Sequence, residues 1–208
     1  DDEASNGVAG ADVPVKARTD FGSSAGWFPE LKGKVDAPLS QAIKVTDSLT
    51  SWKAIATVVS QGPHLGRGSA TMRTARPLMV RLQTPRFLIE GDEVVISAVI
   101  ESHLPKVGPV DVVITAPGLT ALGPTKKSLT VTPEQVVRFD ARFKVIELGE
   151  RTLRAQVKSG SAADAMEITI PALVHGSAQR QFFAGRMSDS FSFDIDLPQK
   201  RKASLTKL

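Results

Sequence analysis

Three histidines, His64, His103 and His175, are the residues of this 208-residue chain most suited to acid–base or metal chemistry. They stand far apart, each beside loop-forming residues, and no pair has the spacing that sets two ligands on one helix or strand. They read as solvent-exposed loop histidines. Glu90, Asp92 and Glu93 carry the oxygen ligands that calcium takes, but Gly91 between them is explained by a turn alone. Asp194 and Asp196 share one face of an alternating segment, the mark of a solvated face rather than of a paired acid and base. No serine sits in a G-x-S-x-G elbow, and Gly66-Arg67-Gly68 lacks the helix that a phosphate cradle needs. Trp27 and Trp52 form either a ligand platform or core. Core is the stronger reading, since burying each contributes roughly 2–3 kcal/mol. The chain has no cysteine, which excludes disulfides, thiolate metal sites and cysteine nucleophiles within it. No catalytic residue, metal ligand or cofactor site is expected.

The elements that would position such residues are strands. In residues 77–100 a short alternating run, 78–82, breaks at Thr84-Pro85, and proline belongs at a sheet edge or a crossing between sheets. Phe87 and Ile89 follow two apart, and Glu90-Gly91-Asp92 supplies a turn with Gly91 free to take positive φ. Val94, Ile96, Ala98 and Ile100 then share one face. Val110, Val112 and Ile114 repeat the pattern and close on Ala116-Pro117-Gly118, the signature of a type II turn. Residues 128–131 are short and edge-like. Phe139, Ala141, Phe143 and Val145 alternate with Arg138, Asp140, Arg142 and Lys144, and Leu153, Ala155 and Val157 answer them. Ile168 and Ile170 complete the set. A helix would scatter these side chains around its circumference. The spacing therefore predicts an all-β fold, with about seven strands over 77–173 forming a complete immunoglobulin- or fibronectin-like antiparallel β-sandwich.

The flanks read as partial. Residues 1–12 are small, acidic and without apolar period, as a flexible connecting segment is. Residues 13–75 offer about four strands, with 13–17, 42–45, 52–59 and 69–74 the candidates, too few to close a sandwich. Gln61 to Gly68 reads as a loop. Trp52, Ala54, Ala56 and Val58 share a face while Ile55 and Val59 make the opposite face apolar, which predicts a central or covered strand. Residues 176–208 hold one alternating run, Phe191, Phe193, Ile195 and Leu197, and a lone strand needs partners from elsewhere. The chain reads as half a domain, a whole domain and a fragment, a piece of a longer modular protein.

The net charge of +4 and the 5% aromatic content disfavour stacking platforms for nucleic acid. No apolar run approaches the ~18 residues of a membrane span. Neither nucleic-acid binding nor membrane insertion is expected, and nothing resembles a signal peptide.

Three motifs occur in order: Trp27-Phe28-Pro29, then Thr46-Asp47-Ser48-Leu49-Thr50-Ser51-Trp52, then Pro85-Arg86-Phe87 with Gly91-Asp92. This order resembles the alpha-2-macroglobulin family, most closely its bacterial members, over about residues 15–176. Phe28 and Thr46 depart from the usual Asn and Pro. The resemblance implies structural roles for Trp27, Pro29, Asp47, Leu49, Trp52, Pro85, Phe87, Gly91 and Asp92. It implies that 1–12 adjoins the bait region and that 13–75 is the second half of the sixth macroglobulin-like domain. Residues 77–173 would be the whole seventh, and 176–208 the first strands of a CUB domain. Such proteins inhibit endopeptidases by entrapment after bait cleavage, in the periplasm or outside the cell. The implied partners are the trapped endopeptidases and the remaining macroglobulin, CUB and thioester domains. Without cysteine this chain cannot supply a thioester, and it is read as no enzyme. The other reading is an extracellular β-sandwich module for adhesion or carbohydrate binding, self-sufficient as a fold.

Overall fold

The computed structural model describes residues 15–34, 37–60, 62–180, 182, 184–186, 190, 192 and 194–206. The chain divides between His175 and Gly176 into two compact units. In the first, β1 (Ser51–Val59) and β2 (Leu65–Arg73) form a two-stranded antiparallel hairpin. Nine strands follow: β3 (Leu78–Gln83), β4 (Leu88–Ile89), β5 (Glu93–Ser102), β6 (Gly108–Thr115), β7 (Leu119–Ala121), β8 (Lys126–Val131), β9 (Gln135–Val145), β10 (Gly149–Ser159) and β11 (Ala162–Leu173). They build a five-stranded sheet, β4-β11-β10-β6-β8, and a four-stranded sheet, β3-β5-β9-β7. All pairs are antiparallel except the short contact of β4 with the end of β11.

Period two decides what is buried. Ile96, Ala98 and Ile100 of β5 meet Val110, Val112 and Ile114 of β6, Phe139, Ala141, Phe143 and Val145 of β9, and Leu153, Ala155 and Val157 of β10 in one core. The charged residues between them face water, where Arg138 pairs with Asp140 and Arg142 with Glu93. The expected antiparallel β-sandwich is thus present, built from β3 to β11. Strand β8 lies at a sheet edge, as the short 128–131 run predicts. Pro85 sits where the chain leaves the four-stranded sheet after β3 and joins the other at β4. Phe87 is out of phase with the expectation: Leu88 points inward, and Phe87 is half exposed.

Two glycines take conformations that a side chain would strain. Gly91 has φ +88° and Gly118 φ +83°, each in a turn leading into a strand. A Cβ at Gly118 would also press on the side chain of Arg151. Gly118→Ala is expected to lower stability by about 1–2 kcal/mol, the cost of left-handed backbone for an L-residue, as read from the midpoint of urea unfolding.

The front of the chain departs from the four-strand expectation. Residues 42–45 form no strand; of the expected 13–17 strand, 15–17 belong to none and 13 and 14 lie outside the described residues, while Arg18 makes an isolated bridge. The predicted loop at 61–68 is shorter, because β2 begins at Leu65 and takes in the expected strand at 69–74. The reason is that 15–50 is held by side chains and turns rather than by a ladder. Trp27 is not core: it is 85% exposed, with Phe28, Leu31, Leu39 and Ile43 also open to solvent. In the second unit the described residues hold a short 3₁₀ turn, Ala203–Leu205, and no strand. Phe191 and Phe193 of the expected strand lie outside the described residues. Ile195 and Leu197 are described and are not in a strand.

Candidate functional site

The most heavily built polar site is a buried ionic node between the two sheets. A β-sandwich has open seams where edge strands of its two sheets lie side by side. Here β3 ends one sheet, and most of β11 has only β10 as a partner, since β4 covers just its last two residues. The outward backbone groups of both edges need partners if they are to be buried. Arg18 answers both. Its N–H donates to Ala165 O at 2.8 Å and its C=O accepts from the N–H of Glu167 at 3.0 Å, so its backbone pairs with β11. Its guanidinium crosses to β3 and donates to Val80 O at 2.6 Å.

Asp164 joins the two edges. Its carboxylate is fully buried and accepts four hydrogen bonds, matching its four lone-pair sites. Oδ1 takes Arg18 Nε at 3.0 Å and Arg76 Nη1 at 2.9 Å; Oδ2 takes Arg18 Nη2 at 2.8 Å and the N–H of Val80 at 2.9 Å. The Arg18 contact is the bidentate fork that only guanidinium makes. Next along β3, the N–H of Leu82 points at Met166 Sδ, 3.3 Å away. Arg18 also stands over the Phe21 ring, 5.7 Å from its centre, and Arg154 donates to Val15 O at 2.6 Å.

The second motif supplies the outer layer. Asp47 Oδ2 accepts the N–H groups of Thr19 and Asp20 at 3.1 and 3.2 Å, and its own C=O accepts from Arg18 Nη1 at 3.3 Å. Those two backbone bonds, then the charges of Lys16 and Arg18, hold its carboxyl below the usual range against a small opposing effect of burial. The contribution of Asp47 is therefore complete above the unfolded carboxylate pKa and fades as acid titrates the folded one. Leu49 is half buried beside it. Thr74 is the anchor of the motif's end: its hydroxyl donates to Ser48 O at 2.8 Å and accepts from the indole N–H of Trp52 at 3.2 Å. Trp52 is thus tied at the foot of the hairpin, not sunk in a core. Asp92 and Gly91 serve through backbone, the Gly91 N–H donating to Val145 O and Asp92 O accepting from Val145 N–H. Pro29 lies in an exposed turn. The nine motif residues do not converge on one site: Asp47 is tied to Arg18 of the node, Trp52 to Thr74 at the foot of the hairpin, and Gly91, Asp92 and Pro29 stand in turns.

Sequence reasoning missed Arg18, Arg76 and Asp164. No local pattern sets Asp164 apart from Glu167 in the same strand.

The histidine reading needs one correction. His64 and His175 are exposed, but His103 is only partly so. Its Nδ1 lies 2.9 Å from the Glu134 carboxylate, and its Nε2 lies 3.1 Å from Glu101, too poorly aligned for a hydrogen bond. The bond to Glu134 leads in raising its pKa above 6.5, with the two negative charges adding and desolvation opposing. Stability from this pair is complete below the unfolded value of 6.5 and is lost as pH rises through the higher folded value. Unfolding of His103→Gln against the parent protein across pH 5–9 should show a deficit that shrinks toward alkaline pH. A deficit independent of pH would contradict the pairing.

Among the described residues no group of three or more His, Cys, Asp or Glu is placed to hold a metal. No helix there is long and apolar enough to cross a membrane. What the geometry defines is an immunoglobulin-like β-sandwich whose edges are sealed by a strap and which carries an apolar hairpin.

Comparison with known proteins finds similarity to one family. Residues 24–114 match the model of the Alpha-2-macroglobulin family, a span that contains every motif residue named above. The "Alpha-2-macroglobulin homolog" of Nostoc sp. is 22% identical over 161 residues, covering 75% of this chain and 8% of that protein. The chain therefore spans less than a tenth of its relative's length. Trypsin-activated alpha-2-macroglobulin from Escherichia coli shares the fold with a TM-score of 0.56 at 17% identity, covering 62% of this chain and 9% of that one. The same protein activated by porcine elastase gives 0.53 at 18% identity, with 62% and 12% covered. Residues 24–114 are thus similar to the Alpha-2-macroglobulin family, and the solved structures share the fold.

Proposed function

We propose that this chain is a structural, non-enzymatic portion of a broad-spectrum endopeptidase inhibitor that entraps proteases after bait cleavage. The parent protein would work in the periplasm or outside the cell. In this reading 1–12 adjoins the bait, 13–75 is half of one macroglobulin-like sandwich, 77–173 is the next, and 176–208 begins a CUB-like domain. Its partners are the trapped endopeptidases and the protein's other macroglobulin, CUB and thioester domains.

The observation that carries the reading is the hairpin. One face of β1–β2 holds Trp52, Ala54, Ala56 and Val58 opposite Met72, Ala70, Gly68 and Gly66, with no charge on it. The other face is mixed, with Ile55, Val59 and Leu65 among Lys53, Arg67 and Arg73. On the uncharged face Val58 is 65% and Met72 51% exposed. Two strands alone are marginal in water, and an uncharged sheet face belongs against another sheet. A self-contained adhesion module would not leave such a hairpin bare.

Proteolysis of the parent protein tests this. A single cut upstream of residue 15 is expected to compact the molecule, seen as faster migration on a native gel, with the protease retained. Cleavage there without compaction or retention would overturn entrapment. Within this chain, Trp27→Ala is expected to change stability by less than about 0.5 kcal/mol, because the indole has so little contact to lose. A large loss on urea unfolding would mean that Trp27 is buried after all.

A further inference from the structure

Arg18 and Arg76 stand at the two ends of one stretch of chain, and both end on the Asp164 carboxylate. Between them, residues 19–75 hold irregular chain and the exposed hairpin. We propose that Asp164 is a latch: one buried carboxylate pins both ends of the 18–76 segment to the sandwich, and opening it frees the strap and uncouples the hairpin. The inference stands whether or not the chain serves a protease trap.

Three features support a latch over ordinary core polarity. The strap's attachment is concentrated, since backbone and side chain of the single residue Arg18 bind β11 and β3 at once. Its neighbours Lys16 and Thr19 are exposed and the apolar Val15, Ala17 and Phe21 are only partly buried, so Arg18 is the one buried residue of that stretch. The bonds are also interdependent. Without the carboxylate, the fork of Arg18, the grip of Arg76 and the partner of Val80 N–H are lost together, whereas the surrounding core has its own apolar contacts.

Hydrogen exchange on the 208-residue chain separates the possibilities. In Asp164→Asn the amides of Arg18, Glu167 and Val80 should lose protection by at least about tenfold more than those of Ile96 and Val112, as local opening requires. Trypsin should then cut after Arg18 faster than after Arg138 and Arg154, whose backbones are held in the strands β9 and β10. Should that variant fail to fold, Arg18→Lys replaces it: an ammonium cannot span both carboxylate oxygens and Val80 O, and the same amides should separate from the core. Equal loss at strap and core amides would overturn the latch, showing Asp164 to be a general stability residue. Unchanged strap protection in the variant that folds would overturn it as well.

Discussion

Phe143→Ala is expected to lower the stability of the sandwich by about 3–5 kcal/mol, the largest effect of any single truncation considered. Phe143 is 2% exposed and lies on β9 between Val94 of β5 and Ala121 of β7 in register. Its side chain belongs to the core, and the neighbouring edge strand β7 is only three residues long with Thr120 and Ala121 exposed. The loss therefore combines transfer of the ring to water with an unfilled void. Chemical denaturation followed by far-UV signal would measure it, and a loss under about 1 kcal/mol would mean that this end of the core is loose.

Asp164→Ala is expected to cost about 3 kcal/mol, toward the lower end of what breaking a buried ion pair costs. The lower end applies because the Arg18 guanidinium need not stay buried without its partner. The strap can leave the seam and hydrate, exchanging a stranded charge for two open strand edges. Arg76→Ala should cost only about 1 kcal/mol, since its side chain is already part exposed and Asp164 keeps the fork from Arg18. Unfolding midpoints of the two variants, measured together, give the ranking. If Arg76→Ala proved the more damaging, the strap would not be the main partner of Asp164.

The exposed edges suggest one consequence for handling the protein. With the strap out, β3 and β11 would each present backbone donors and acceptors, the template that edge strands offer to other chains. Asp164→Ala is therefore expected to self-associate at concentrations where the parent protein stays dispersed.

How much of this was legible in the residues alone follows from distance along the chain. Alternation of apolar and polar residues is local, so 94–100, 138–145 and 153–158 announced both their strands and their buried faces. The sheet crossing at Pro85 and the turns at Gly91 and Gly118 were equally legible, because the missing N–H and the missing Cβ act on their own backbone. Tertiary structure alone decided the seam: Arg18 and Asp164 are 146 residues apart, and no local pattern marks a charge as buried until its partner arrives. It also decided Trp27, Phe87 and the hairpin. Hydrophobicity states what a side chain would gain by leaving water, but burial needs a second surface, and for these residues the folded chain does not supply one.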